Sequence, residues 1–145
     1  MNSLEKEFVP YEQALALKEL GFDEPCLMRI WWLNSVHKDT IIPFEPHISI
    51  NGRDINFEYS LPKKHPSTEF VALELQVPTF SQAFRWFRKN HKLGAIVSQF
   101  GYGIEDEYGQ IIYNIDDDEK PLCYEEAELA CLIKLIGIVK EKKNG

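Results

Sequence analysis

The segment HISINGRDINFEY restricts the fold of this chain more than any other, because Asn51-Gly52 stands between alternating apolar residues. An Asn-Gly pair in this setting favours a two-residue turn between antiparallel strands. Two further pairs of segments are predicted to be hairpin-like. LMRIWWLN is separated from TIIPF by the polar stretch SVHKD, and LGAIVSQFGYGI is separated from QIIYNI by the turn EDEYG. Hairpin signals therefore dominate, and the regular alternation of strands and helices that builds a parallel sheet is absent.

Three other segments predict helices. VPYEQALALKELGF has Pro10 at the expected first helical position and Gly21 just after the last periodic residue. A second helix is predicted over residues 79–92, and a third over 124–142, with glutamates in its first turn and lysines in its last. We predict a single α+β domain over residues 1–145, with a mostly antiparallel sheet and three helices packed largely on one face.

The predicted core takes apolar residues from all of these elements and from the alternating segment EFVALELQVP, which predicts a half-buried strand. Its members are Leu17, Leu20, Ile50, Phe57, Leu73, Phe84, Phe87, Ile96, Ile112, Leu132 and Leu135.

The composition is that of a folded globular protein, with 145 residues of which 44% are hydrophobic and 27% charged. The amino-terminal residues contain no apolar run typical of a secretion signal, and no stretch approaches the roughly 18 to 20 apolar residues of a membrane span. The 3 cysteines are odd in number and form no C-x-x-C pair. We expect a cytoplasmic protein without a membrane association, located in the host cytoplasm if a phage encodes it.

No catalytic constellation with diagnostic spacing is present, and we predict no catalytic residue, no metal site and no cofactor. Cys26 and Cys131 lie among apolar residues and are interpreted as small core side chains, whereas Cys123 precedes a helix. The acidic residues 116–119 lack the spacing of a calcium loop.

The 4 histidines fall in separate segments and are interpreted as solvated loop or turn residues: His37, His47, His65 and His91. An enzyme whose site is assembled from scattered residues stays an alternative, because catalytic groups meet in space.

On a helix, the side chains of the segment FSQAFRWFRKNHK form two opposite stripes, one largely aromatic and one basic. One stripe contains Phe80, Ala83, Phe84, Phe87 and His91, with Trp86 on its flank. The opposite stripe is basic and contains the candidate binding residues Arg85, Arg88, Lys89 and Lys92. The phenylalanines are therefore expected to be core anchors, because a base-stacking platform needs rings on the same side as the cations.

The four cations are interpreted first as a solvated face and otherwise as a binding surface. The net charge of −7 disfavours broad attraction to nucleic acid and favours an acidic protein partner. The third helix is apolar nearly all round, which indicates either burial between two layers or a homo-oligomer contact.

Three segments carry a resemblance: EFVPYEQALALKELGFDEPCL, PTFSQAFRWFRKNHKL and YEEAELACLIKLIGIVK. Together they resemble a group of small uncharacterised proteins found in Bacteroidetes bacteria and in their phages and prophages. They cover roughly a third of the chain, and residues 30–70 carry no part of the likeness. The resemblance implies a mobile-element setting in a gut-type bacterium, and it implies no activity for any residue.

Three hypotheses for function follow. The leading one is a small non-enzymatic accessory or interaction protein of a phage or mobile element that acts by protein-protein contact. The second is a nucleic-acid-binding regulator that uses the basic face of helix 79–92, and the third is the enzyme with a scattered site.

Overall fold

The computed structural model describes residues 5–32, 34–37, 40–43, 47–50, 53–54, 73–114 and 123–144. A short 3-10 helix, Glu5–Glu7, precedes the helices α1 (Tyr11–Glu19), α2 (Phe80–His91) and α3 (Tyr124–Asn144). The strands are β1 (Met28–Trp32), β2 (Asn34–His37), β3 (Thr40–Pro43), β4 (His47–Ile50), β5 (Arg53–Asp54), β6 (Leu73–Val77), β7 (Gly94–Ser98), β8 (Gly101–Glu105) and β9 (Ile111–Asn114). Every strand pairing among these described strands is antiparallel, so the predicted α+β class and antiparallel sheet are confirmed.

Two compact units divide the chain. The N-terminal unit contains residues 1–18 and 23–78, and the C-terminal unit contains residues 19–22 and 79–145. Each unit has its own strands and its own buried side chains and is described by itself. A single domain over residues 1–145 stays a prediction.

The N-terminal unit is built on a four-stranded sheet with the order β5-β4-β1-β6. The predicted Asn51-Gly52 hairpin is present, because β4 pairs with β5 and Ile50 faces Arg53. Ile30 of β1 lies between Ile48 of β4 and Leu75 of β6.

The predicted pairing of the strand in LMRIWWLN with the strand in TIIPF is wrong. β1 pairs with β4 and β6, while β3 pairs with β2, which begins at Asn34. The sequence MRIWW is rich in bulky apolar residues, which suits a central strand with a neighbour on each side. The polar stretch that had been interpreted as a connection supplies most of β2.

One face of this sheet forms the centre of the N-terminal unit. Met28, Ile30, Leu75 and Val77 are fully buried, and they alternate with the more polar residues of β1 and β6. On the other side of β1, Arg29 Nη1 lies 3.1 Å from Glu74 Oε1.

Helix α1 belongs mainly to the N-terminal unit and follows its sequence prediction. Ala14 and Leu17 are fully buried along one side, and Gly21 ends the segment with a φ of +103°. Lys18 Nζ donates to the carbonyl of Glu74 over 3.0 Å, which ties the end of α1 to β6.

The C-terminal unit is built on a three-stranded sheet with the order β7-β8-β9. The segment LGAIVSQFGYGI, expected as one member of a hairpin-like pair, contains two strands. The turn between them is closed locally, because the amide of Phe100 donates to Ser98 Oγ over 3.2 Å. The predicted EDEYG turn is confirmed: Asp106 Oδ1 accepts from the amides of Tyr108 at 2.9 Å and Gln110 at 3.0 Å.

Helices α2 and α3 give this sheet one covered face. Helix α3 contacts β7 and β8, and α2 contacts β7 and α3. Tyr102 and Ile104 are buried on the covered face, and Lys134 Nζ of α3 lies 4.4 Å from the centre of the Tyr113 ring.

Two residues predicted as core lie on the other face of this sheet. Ile96 is 44% exposed and Ile112 is 49% exposed. Ile96 pairs with Gly103, one position out of step with the buried Tyr102 and Ile104, so its side chain points to the opposite face. Ile112 falls at an irregularity where the register passes from Tyr113 to Ile111.

The remaining core predictions have mixed outcomes. Leu17, Leu20, Phe87, Leu132 and Leu135 are buried as predicted. Ile50 and Phe84 are half-buried, and so were predicted as more enclosed than they are. Phe57 and the side chain of Leu73 lie outside the described residues.

Helix α3 has one thoroughly buried side and one open side. Ala127, Cys131, Leu132, Leu135 and Val139 are buried, whereas Ile133 is 49% exposed. Burial within the C-terminal unit therefore accounts for most of the apolar breadth of this helix. The homo-oligomer stays a prediction.

Candidate functional site

Helix α2 is anchored firmly at its start and along its inner side. The Thr79 hydroxyl accepts from the amide of Gln82 over 3.2 Å and so caps the helix. Phe80, Ala83 and Phe87 are buried as the sequence predicts. The outer side of α2 is thus presented on a helix whose position is set by packing.

Trp86 is a core residue and not a flanking one. It is only 5% exposed, and its ring centre lies 5.6 Å from that of Phe22 and 5.0 Å from that of Phe87. Phe22 comes from the turn after α1, far away in sequence, so helical periodicity alone could not reveal this contact. Phe84 has the opposite outcome and is half-buried, with its ring centre 6.2 Å from that of Phe80.

The basic face of α2 consists of Arg85, Arg88, Lys89 and Lys92, and all four side chains are exposed as predicted. Within the described part of the chain, none of the four forms an ion pair, and the ion pair between Arg29 and Glu74 lies in the N-terminal unit. Their charges are therefore available to a partner, although a binding role stays a prediction.

The basic face ends at a left-handed residue. Lys92 has a φ of +58°, and the amide of Leu93 donates to the carbonyl of Phe87 over 3.3 Å. The amide of Lys92 donates to the same carbonyl, so both amides at the end of α2 have an acceptor. Leu93 turns inward and is 2% exposed, so Lys92 is the last cation on the outer side of α2.

His91 connects the basic face to a second group of cations. Its ring centre lies 4.9 Å from that of Trp86, and the residue is half-buried. Burial lowers the pKa of His91 below its ordinary value of 6.5, and the positive charges of Lys143 and then Lys142 lower it further. Both lysines belong to the last turn of α3, and α3 packs on α2.

A hydrogen bond links this end of α3 to the turn after α1. Lys143 Nζ donates to the carbonyl of Leu20 over 2.9 Å. The relation of these lysines to His91 is not predicted from the sequence, because the helix dipole is by itself a sufficient reason for lysines in the last turn of α3. No local signal relates positions that are about 50 residues apart.

The cysteines do not converge on a nucleophilic site in the described residues. Cys131 is fully buried as predicted, with Sγ 3.9 Å from the carbonyl oxygen of Gly103. Burial, helped by the carboxylate of Glu128, raises the pKa of the Cys131 thiol to about 12.

The other two cysteines are more accessible than Cys131. Cys26 is half-buried, so the prediction that it is a core residue is wrong. Its amide donates to Gln76 Oε1 over 2.8 Å at the edge of the sheet. Cys123 is half-buried and lies directly before α3.

The histidines are dispersed in the structure. His37 lies in β2 and His47 in β4, so neither is the loop or turn residue that was expected, and His91 lies on α2. His65 and the acidic residues 116–119 lie outside the described residues.

Among the described residues, no group of three or more His, Cys, Asp or Glu side chains could hold a metal ion. No helix in the described part of the chain is long and apolar enough to cross a membrane.

A comparison of the chain with protein-family models, curated proteins and solved structures finds no match.

Proposed function

We propose that this protein is a small non-enzymatic accessory or interaction protein that binds an acidic partner protein through the basic face of α2. The observation that carries the proposal is the set of four exposed cations without an ion pair in the described structure. A phage or mobile element is the proposed setting, and the likeness of three segments to proteins from phages and prophages of Bacteroidetes supports it.

The anchoring of α2 supports a binding role. A surface on a capped helix with four buried side chains does not have to become ordered when it binds. Exposed charges of one sign also accelerate the encounter with a partner of the opposite sign.

A protein partner is favoured over nucleic acid by two features. The chain carries a net charge of −7, which opposes contact with a long polyanion more than contact with a short acidic segment. The aromatic rings on the inner side of α2 are buried or half-buried, so they do not offer bases a stacking surface beside the cations. The nucleic-acid-binding regulator is the second candidate, because the same four cations could contact phosphates.

Fluorescence polarisation with a short labelled glutamate peptide (called poly-glutamate below), double-stranded DNA and single-stranded RNA, each over a salt series, tests the proposal. We expect wild-type protein to bind poly-glutamate, with an affinity that falls as salt increases. The double variant Arg85→Glu/Lys89→Glu should lose most of this affinity. A matched control, Lys6→Glu/Arg53→Glu, makes the same change in net charge on two other exposed cations and should bind like wild type.

Two results would count against the proposal. Tighter binding of DNA or RNA than of poly-glutamate, lost in the double variant, would favour the regulator. Equal loss in the double variant and its control would show that net charge, and not the basic face of α2, governs binding.

A further inference from the structure

The ends of α2 and α3 lie side by side in the C-terminal unit, and both are basic. The two helices pack on each other, and Lys143 in the last turn of α3 donates to the turn whose Phe22 lies against Trp86, the ring beside His91. Lys89 and Lys92 lie on the same end of α2, next to His91 in sequence. Four lysines and one histidine from two helices therefore share one end of this unit.

Contacts with the turn after α1 hold this junction together. Lys143 Nζ donates to the carbonyl of Leu20 over 2.9 Å, and Phe22 of the same turn lies edge-on to Trp86 at 5.6 Å. Trp86 in turn lies 4.9 Å from the His91 ring. A continuous set of contacts thus runs from the end of α3 through the turn to the end of α2.

The charges around His91 are unbalanced. Lys142 and Lys143 act on it from α3, and Arg88, Lys89 and Lys92 are its basic neighbours along α2. The acidic residues in these segments are Glu141 in the last turn of α3 and Glu19 in residues 19–22, and β7 contains no ionisable side chain, so the cations outnumber the carboxylates. Burial and repulsion by the lysines together disfavour a protonated His91. A negatively charged group bound next to His91 would therefore reduce the repulsion between these cations.

We propose that the docking surface continues from the basic face of α2 onto the last turn of α3, so that a carboxylate-rich segment of the partner protein crosses both helices beside His91. This inference rests on the proposed function and specifies its partner chemistry. A segment of Asp and Glu residues fits the surface, because carboxylates accept from ammonium and guanidinium groups and would stabilise the protonated imidazole.

The binding experiment compares two single variants on α3 in the full-length chain. Lys142→Glu reverses a charge that acts on His91. Lys140→Glu makes the same change of charge on an exposed residue that lies about 200° around the helix from Lys142. Lys143 is left unchanged, because its ammonium group holds the carbonyl of Leu20.

With labelled poly-glutamate as the probe, we expect Lys142→Glu to weaken binding by roughly two- to fivefold, the range for one exposed ion pair. Lys140→Glu should have a smaller effect. Equal affinities for these two variants, together with loss of binding in Arg85→Glu/Lys89→Glu, would overturn the extension onto α3 and leave the proposed function intact. Unchanged binding in all three variants would overturn both.

An NMR titration of the His91 ring gives an independent measurement in wild-type protein. Bound poly-glutamate should raise the pKa of His91, since carboxylates would replace repulsion with attraction. In the free protein, Lys142→Glu should also raise the pKa of His91, and Lys140→Glu should change it less. A His91 pKa that is the same in free and poly-glutamate-bound protein would overturn the crossing beside His91.

Discussion

At the scale of single residues, Phe84 and Phe87 differ in burial although the helical pattern places both on the same stripe. Phe87 is fully buried, whereas Phe84 is half-buried. We expect Phe87→Ala to lower the free energy of unfolding by about 3–5 kcal/mol, because a cavity is left where no solvent can enter. Phe84→Ala should cost clearly less. Urea unfolding of both variants measures the difference, and equal losses would contradict the burial seen here.

Gly94 is a position where the absence of a side chain matters. A Cβ at this residue would lie 2.9 Å from Cγ of Glu105, its cross-strand partner. Gly94→Ala should therefore destabilise the protein by about 1–3 kcal/mol through overpacking.

The partner variant makes this prediction specific. In a Glu105→Ala background the crowding is removed, so adding Gly94→Ala should cost little or should stabilise the chain by restricting its unfolded state. A double-mutant cycle from urea unfolding curves provides the measurement. An unchanged cost in that background would mean that Glu105 is not the source of the strain.

At the scale of elements, α3 protects its cysteine from reagents. Burial and Glu128 raise the pKa of Cys131 to about 12, so the reactive thiolate is scarce at pH values near 8. We expect iodoacetamide to modify Cys26 and Cys123 well before Cys131 in native protein. Peptide mass spectrometry locates the label, and guanidinium-unfolded protein, in which all thiols should react, is the control. Early modification of Cys131 would contradict the packing of α3 on β8.

The contact between α2 and α3 should also make stability depend on pH. The pKa of His91 is lowered in the folded protein, so at pH values below 6.5, its ordinary pKa, the unfolded chain binds a proton at His91 more readily than the folded chain does. The contribution of neutral His91 to the free energy of unfolding is therefore fully present above pH 6.5. It is lost as the pH falls through the folded-state pKa. Unfolding free energies measured in urea between about pH 5 and 8 should rise more steeply with pH in wild type than in His91→Gln. Parallel curves would show that His91 makes no such contribution.

At the scale of the whole molecule, the prediction of one domain over residues 1–145 can be tested by cooperativity. Leu75 is fully buried in the N-terminal unit and Phe87 is fully buried in the C-terminal unit. If the chain is one domain, Leu75→Ala and Phe87→Ala should each shift the same single thermal transition, with matching calorimetric and van't Hoff enthalpies. Scanning calorimetry that shows two transitions, each moved by only one of the variants, would establish two domains.

Residues close together along the chain determined much of this structure. The β4–β5 hairpin follows from Asn51-Gly52, and the exposed and buried sides of α2 follow from its helical period. The turn at Asp106 likewise uses only its own amides and side chain. These features are predictable because turn chemistry and periodicity depend on a few adjacent residues.

Contacts between distant segments decided the rest. The sequence could not show that β1 pairs with β4 and β6, because several antiparallel partners satisfy the same apolar pattern. It also could not show that Ile96 points to the uncovered face of the β7-β8-β9 sheet, since that depends on where α3 lies. Lys142 and Lys143 come near His91 only because two helices pack together, so the basic junction between them is a property of the tertiary structure.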